Sequence, residues 1–156
     1  HYNAIIALRD RIQANPNDSQ ALDSLLAYLP SNFGLDAGNA AGCFRQLADG
    51  PENKVKIVPV IAPRVVPALV KQAEHIGRAD TEALTEYGDY VLPYKADLIA
   101  IIRKHPDEDT AWFAAEVLGN FGPKAKDALP VIESMPTNQI NHDLIEDAIK
   151  HIKGQQ

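Results

Sequence analysis

AAEVLGNFGPKAKDALPVIESM, residues 114–135, holds two amphipathic runs separated by a break. The first is alanine-rich and closes on Leu118-Gly119. Gly122-Pro123 then stops one helix and starts the next, because glycine tolerates the left-handed turn after a helix and proline fits a first turn. In the second run Leu129, Ile132 and Met135 fall on one side. The pattern predicts a helix–turn–helix unit. One such unit cannot bury its apolar face alone, so units of this kind stack.

Working outward, the same punctuation recurs. A shift of 37 residues lays Leu92-Pro93 on Leu129-Pro130, His105 on His142 and Ala111 on Ala148. A step of 26 lays Val66-Pro67 on Leu92-Pro93. An apolar residue followed by proline near the head of an apolar helix, at a period of about 30–40, predicts a helical repeat array. The expected fold is all-α, a right-handed α-α superhelix of about four helix pairs. The chain reads as a single domain over 1–156, with a divergent helical part at 1–79 and regular repeats at 80–156.

Toward the N-terminus the expected elements are a helix from Asn3 to Ala14 and a second one capped by Asp18 or Ser19 and ended by Pro30. A third covers Asp36–Ala48, where Gly34, Gly38 and Gly42 recur every four residues. Helical glycine costs roughly 1 kcal/mol per site, so close approach of a neighbouring backbone is the expected compensation. A ligand cleft at Gly34–Gly42 is the sharper reading. Proline at 51, 59, 63 and 67 predicts broken structure, with Val55–Ile61 the most strand-like piece and a helix starting near Pro63 or Pro67 and stopping at Gly77. Asp80 is placed as the cap of a helix over Thr81–Tyr90. Further helices are expected over 93–104, 110–121, 123–134 and, capped by Asn141, 141–153.

Net charge is −6, and it is uneven. Residues 105–156 carry four Lys/Arg against nine Asp/Glu, giving −5. Phosphate backbones require clustered cations, so nucleic acid is excluded as a partner, and a basic protein fits better. No run is apolar enough to span a membrane. Cys43 stands alone, which rules out an intrachain disulfide. The chain begins at His1 rather than Met. Trimming, a tag or a removed signal peptide would each explain that, so cytoplasmic and exported locations stay open.

Two groups are the candidate partner-binding residues. Tyr87, Tyr90 and Tyr94 lie at i, i+3, i+7 and would line one helical stripe suited to an interface. Asp107, Glu108 and Asp109 form an acidic link at a helix N-terminus, where capping is the competing role. His142/Glu146 and Asp147/His151 are i, i+4 pairs, with Asp143 alongside, but they lack a third strong ligand. No metal, cofactor or catalytic residue is therefore assigned. Neither a phosphate-binding glycine loop nor a nucleophile elbow occurs.

Over Ala114-Ala115, Leu118-Gly119, Phe121-Gly122-Pro123, Ala125, Ala128, Pro130, Ile132 and Met135 the chain resembles a HEAT repeat, in particular the HEAT-like repeats of the phycobiliprotein-lyase type. The resemblance is clearest over 114–135 and extends over 80–153. It implies a short HEAT-like solenoid. HEAT-like hydroxylases use His-Glu dipeptides for a di-iron centre, and this chain has none. The function expected is a non-catalytic protein-interaction module or scaffold. The alternatives are an inhibitor or immunity-type protein that binds one basic effector, and a lyase-like accessory subunit carrying a small ligand.

Overall fold

The computed structural model describes residues 1–30, 34–76 and 78–155, with the side chains at 74–76 and 78 left out. Among the described residues it is all-α, with no strand. The helices are α1 (Tyr2–Ala14), α2 (Ser19–Leu26), α3 (Gly34–Ala48), α4 (Pro51–Lys56), α5 (Val58–Ile76), α6 (Arg78–Leu84), α7 (Lys95–Lys104), α8 (Asp109–Asn120), α9 (Leu129–Glu133) and α10 (His142–Lys153). Two 3₁₀ segments, Thr85–Tyr94 and Gly122–Ala128, precede α7 and α9.

Packing follows the apolar stripes. One layer runs α1, α3, α6, α8, α10, each helix against the next although they are not consecutive in the chain. The second layer, α2, α5, the first 3₁₀ segment with α7, and α9, backs onto it. Packing against non-adjacent helices is consistent with a superhelical, repeat-like arrangement. A continuous core joins the layers, from Ile5 and Leu25 through Phe44, Leu69 and Leu84 to Leu118 and Ile152. No described helix is long and apolar enough to cross a membrane.

Several boundaries follow local chemistry. The Asp18 carboxylate accepts from the Ala21 amide at 2.9 Å and caps α2 as expected. That amide, together with Arg11, holds the Asp18 carboxyl below its ordinary range, against a smaller opposing effect of burial. Asn141 occupies the N-cap position of α10, but its side chain turns backward. It accepts from the Asn138 amide at 2.7 Å and donates to the Pro136 carbonyl at 3.1 Å, so it ties down the preceding loop instead.

The proline-rich stretch is helical, which corrects the strand-like reading of Val55–Ile61. Pro63 and Pro67 lie inside α5. Pro59, in the first turn, removes no bond within the helix, and Pro59 and Pro63 are exposed while Pro67 is half-buried. The opposite face buries Val58, Ile61, Val65, Val66 and Leu69. That burial outweighs the lost bonds, at roughly 1.5–3 kcal/mol per large aliphatic side chain. The helix stop expected at Gly77 lies outside the described residues.

Two predicted helices are shorter and bent. The helix expected over Thr81–Tyr90 begins earlier, at Arg78, and ends at Leu84. Gly88 then adopts φ 54°, ψ −135°, a conformation that breaks any continuous helix through Tyr90. The helix expected over 123–134 is 3₁₀ as far as Ala128 and α only from Leu129.

Candidate partner-binding surface

The tyrosine stripe does not form. Gly88 kinks the chain between Tyr87 and Tyr90, so their spacing no longer corresponds to one helical face. Tyr87 is buried, and its hydroxyl donates to the Phe44 carbonyl at 2.8 Å. Burial raises its pKa, which keeps the phenol neutral. Tyr87 is thus a core residue that pins the 3₁₀ segment to α3, and its assignment to a partner surface is corrected. Tyr90 is 41% exposed, and Tyr94 is half-buried.

In the acidic link, Asp107 and Glu108 are exposed and Asp109 is half-buried in the first turn of α8. Glu108 holds the N-cap position, but its side chain does not cap. Its carboxylate meets His105 Nδ1 at 3.0 Å instead. Asp107 and Glu108 therefore present negative charge to solvent at the head of α8, where the helix dipole favours it.

The denser acidic feature lies where α3, α6 and α8 meet the start of the 3₁₀ segment Thr85–Tyr94. Glu116 of α8 is half-buried, and its carboxyl pKa is raised first by burial and then by the charges of Glu82 and Glu86. Arg45 of α3 opposes that rise and pairs with Glu82 at 2.5 Å. Lys54 of α4 meets Glu86 at 3.1 Å. Three carboxylates thus lie near one another, Glu82 paired with Arg45 and Glu86 with Lys54. Sequence reasoning missed them: Glu82 and Glu86 are an i, i+4 pair across a helix end, and Glu116 is the single charge inside an alanine-rich run. Only the packing of α8 against α6 and the 3₁₀ segment Thr85–Tyr94 brings them together.

The cavity beside Gly42, about 260 Å³, is lined by Arg45, Gln46, Asp49 and Glu86. Its lining side chains are polar or charged, unlike the apolar pocket that a small-ligand reading of Gly34–Gly42 calls for. Cys43 is buried, and burial raises its thiol pKa, the mark of an inert packing residue.

On α10, His142, Asp143 and Glu146 come within 4.8 Å of one another, all exposed. His142 Nδ1 lies 3.1 Å from Asp143 and 3.9 Å from Glu146. Lys150 sits 3.1 Å from Glu146 and 3.9 Å from Asp147, so an ammonium already serves these carboxylates. The cluster has the form of a solvated ion-pair face.

Asp80, expected as a cap, lies in the first turn of α6 and is fully buried. Neither carboxylate oxygen has a hydrogen-bond partner. Burial pushes its pKa up to about 7, with its own backbone amide pulling slightly the other way.

Compared with protein-family models, with curated proteins and with solved structures, the chain matches none.

Proposed function

We propose that the chain is a non-catalytic protein-interaction module, built as a short HEAT-like solenoid of about four helix pairs, that holds a basic protein partner. The observation that supports this reading is the proximity of Glu82, Glu86 and Glu116, three carboxylates against the two cations Arg45 and Lys54. Unbalanced carboxylates on a layered helical face favour a partner's Lys or Arg, and such complementarity acts mainly on encounter rate and specificity. Asp107 and Glu108 extend the negative surface at the head of α8. Stacked helical pairs supply the broad, rigid face that such binding needs.

The test is chemical cross-linking in the native lysate with the wild type and the Glu82→Lys/Glu116→Lys variant, in low and moderate salt. A basic protein captured by the wild type, weakened by salt and lost in the variant, supports the reading. Capture that ignores both salt and the charge reversal overturns it.

A further inference from the structure

The loop before α10 is tied down by two asparagines. The Asn138 amide donates to Asn141 Oδ1 at 2.7 Å, and Asn138 Oδ1 accepts from the amides of Ile140 at 2.7 Å and Asn141 at 3.1 Å. Asn141 is buried and also donates to the Pro136 carbonyl at 3.1 Å. What this ordered backbone presents to solvent is Ile140, 82% exposed. Isolated exposed aliphatics are common, but one carried on an already ordered loop has little more entropy to lose on docking.

A matching recess lies in the second layer. Helix α5 packs more extensively on the 3₁₀ segment Thr85–Tyr94 than on α7, and a cleft of about 360 Å³ lies between the two helices. The buried Val70 and Ile101, with Pro67 and Ala100, give it an apolar lining. A recess of that size takes a branched aliphatic side chain together with the turn of backbone that carries it.

Charge favours a second copy of this chain as the occupant. Lys71, on the rim, forms no ion pair or hydrogen bond among the described residues. Three residues after Ile140, the Asp143 side chain is 99% exposed, and its contact is His142 at 3.1 Å, a ring that leaves the carboxylate charge uncompensated unless it is protonated. Asp143 is therefore an anion available to Lys71. Residues 136–141 carry no charge, so the loop brings nothing that repels Asp97 elsewhere on the rim, and the exposed Gln139 amide can donate to it. The chain as a whole has the same polarity. Residues 51–104, which hold the cleft, carry eight Lys/Arg against seven Asp/Glu, whereas residues 105–156, which hold the loop, carry −5.

We infer that Ile140 of one copy docks in the α5–α7 cleft of a second copy, with Asp143 against Lys71. The contact joins unlike surfaces, so each pair keeps one free cleft and one free Ile140, and association does not close at a dimer. The inference does not rest on the acidic face of Glu82, Glu86 and Glu116.

The experiment is sedimentation equilibrium of the purified protein. A contact this small is weak, so the series runs up to about 1 mM. The weight-average mass of the wild type should rise with concentration from 17.0 kDa to more than twice that value. Ile140→Asp removes the docking side chain and Ala100→Phe fills the cleft, both at exposed positions, and each variant alone should stay at 17.0 kDa. An equimolar mixture of the two should associate again and stop at the one-to-one pair, because one variant supplies the cleft and the other the Ile140 side chain. Lys71→Glu should weaken wild-type association about tenfold, and adding Asp143→Lys should restore it. A wild type that stays monomeric or stops at a dimer, a mixture that remains at 17.0 kDa, or an affinity indifferent to Lys71→Glu would each overturn the inference.

Discussion

A Cβ added at Gly119 of α8 would sit 2.8 Å from the Ala148 Cα of α10, whereas one added at Gly38 or Gly42 of α3 would meet nothing within 4 Å. The same residue type thus does two different jobs in helices of one layer. At Gly119 the missing side chain lets two backbones approach, and the facing residue, Ala148, is small for the same reason. On α3 the glycines face open space. The neighbour expected from their spacing is not there, and their conformational cost is uncompensated in the folded state.

This contrast can be broken most sharply at Gly119. Gly119→Ala forces backbone against backbone, and overpacking of this kind costs about 2 kcal/mol. Thermal unfolding should shift down by roughly 4–8 °C. An unchanged melting temperature would mean that α8 and α10 do not pack in this register.

The next test lies between the two helices, at α6. Its Asp80 carboxyl is protonated in the folded protein up to about pH 7 but ionises near 3.8 in the unfolded chain. Over that interval the folded state holds more protons, so stability is greatest below pH 3.8 and is lost as pH rises through about 7. Asp80→Asn should abolish this slope. At pH 8 it should exceed the wild type in stability by roughly 1–2 kcal/mol, because relief of the buried charge is partly offset by burial of an amide without partners. Urea titrations at pH 4, 6 and 8 would show it. A slope that persists in the variant would assign the pH dependence to other groups.

The smallest effect has the opposite sign to the first. Gly38→Ala on the open face of α3 should stabilise the protein by about 0.5–1 kcal/mol, through helix propensity and reduced freedom of the unfolded chain. Differential scanning calorimetry would resolve the gain. A loss of stability there would reveal a contact on that face.

Which parts were legible in the sequence follows the same division. Helix α8, the break at Gly122-Pro123 and the cap at Asp18 were readable because each rests on a local rule about turns, caps or periodicity. Tyr87 was misread because its spacing implied a continuous helix, whereas Gly88, the residue type that admits the interrupting conformation, breaks it. Helix α5 was misread because proline was counted as a breaker without regard to the face it occupies. The grouping of Glu82, Glu86 and Glu116 had no local signature, since Glu116 comes from α8, which is not consecutive with the two elements that carry Glu82 and Glu86. Only a layered arrangement makes them neighbours.

The prolines of α5 have a consequence outside the folded state. Residues 55–70 are the chain's richest run of valine and isoleucine, the composition that pairs into cross-β aggregates when exposed. Such zippers need six or seven consecutive residues free of proline. Pro59, Pro63 and Pro67 leave no more than three between them. Each also lacks the amide that an incoming strand would bond. The row of rings that the helix tolerates on its wet side therefore guards this segment against self-association while the chain is still being made and has not yet been buried.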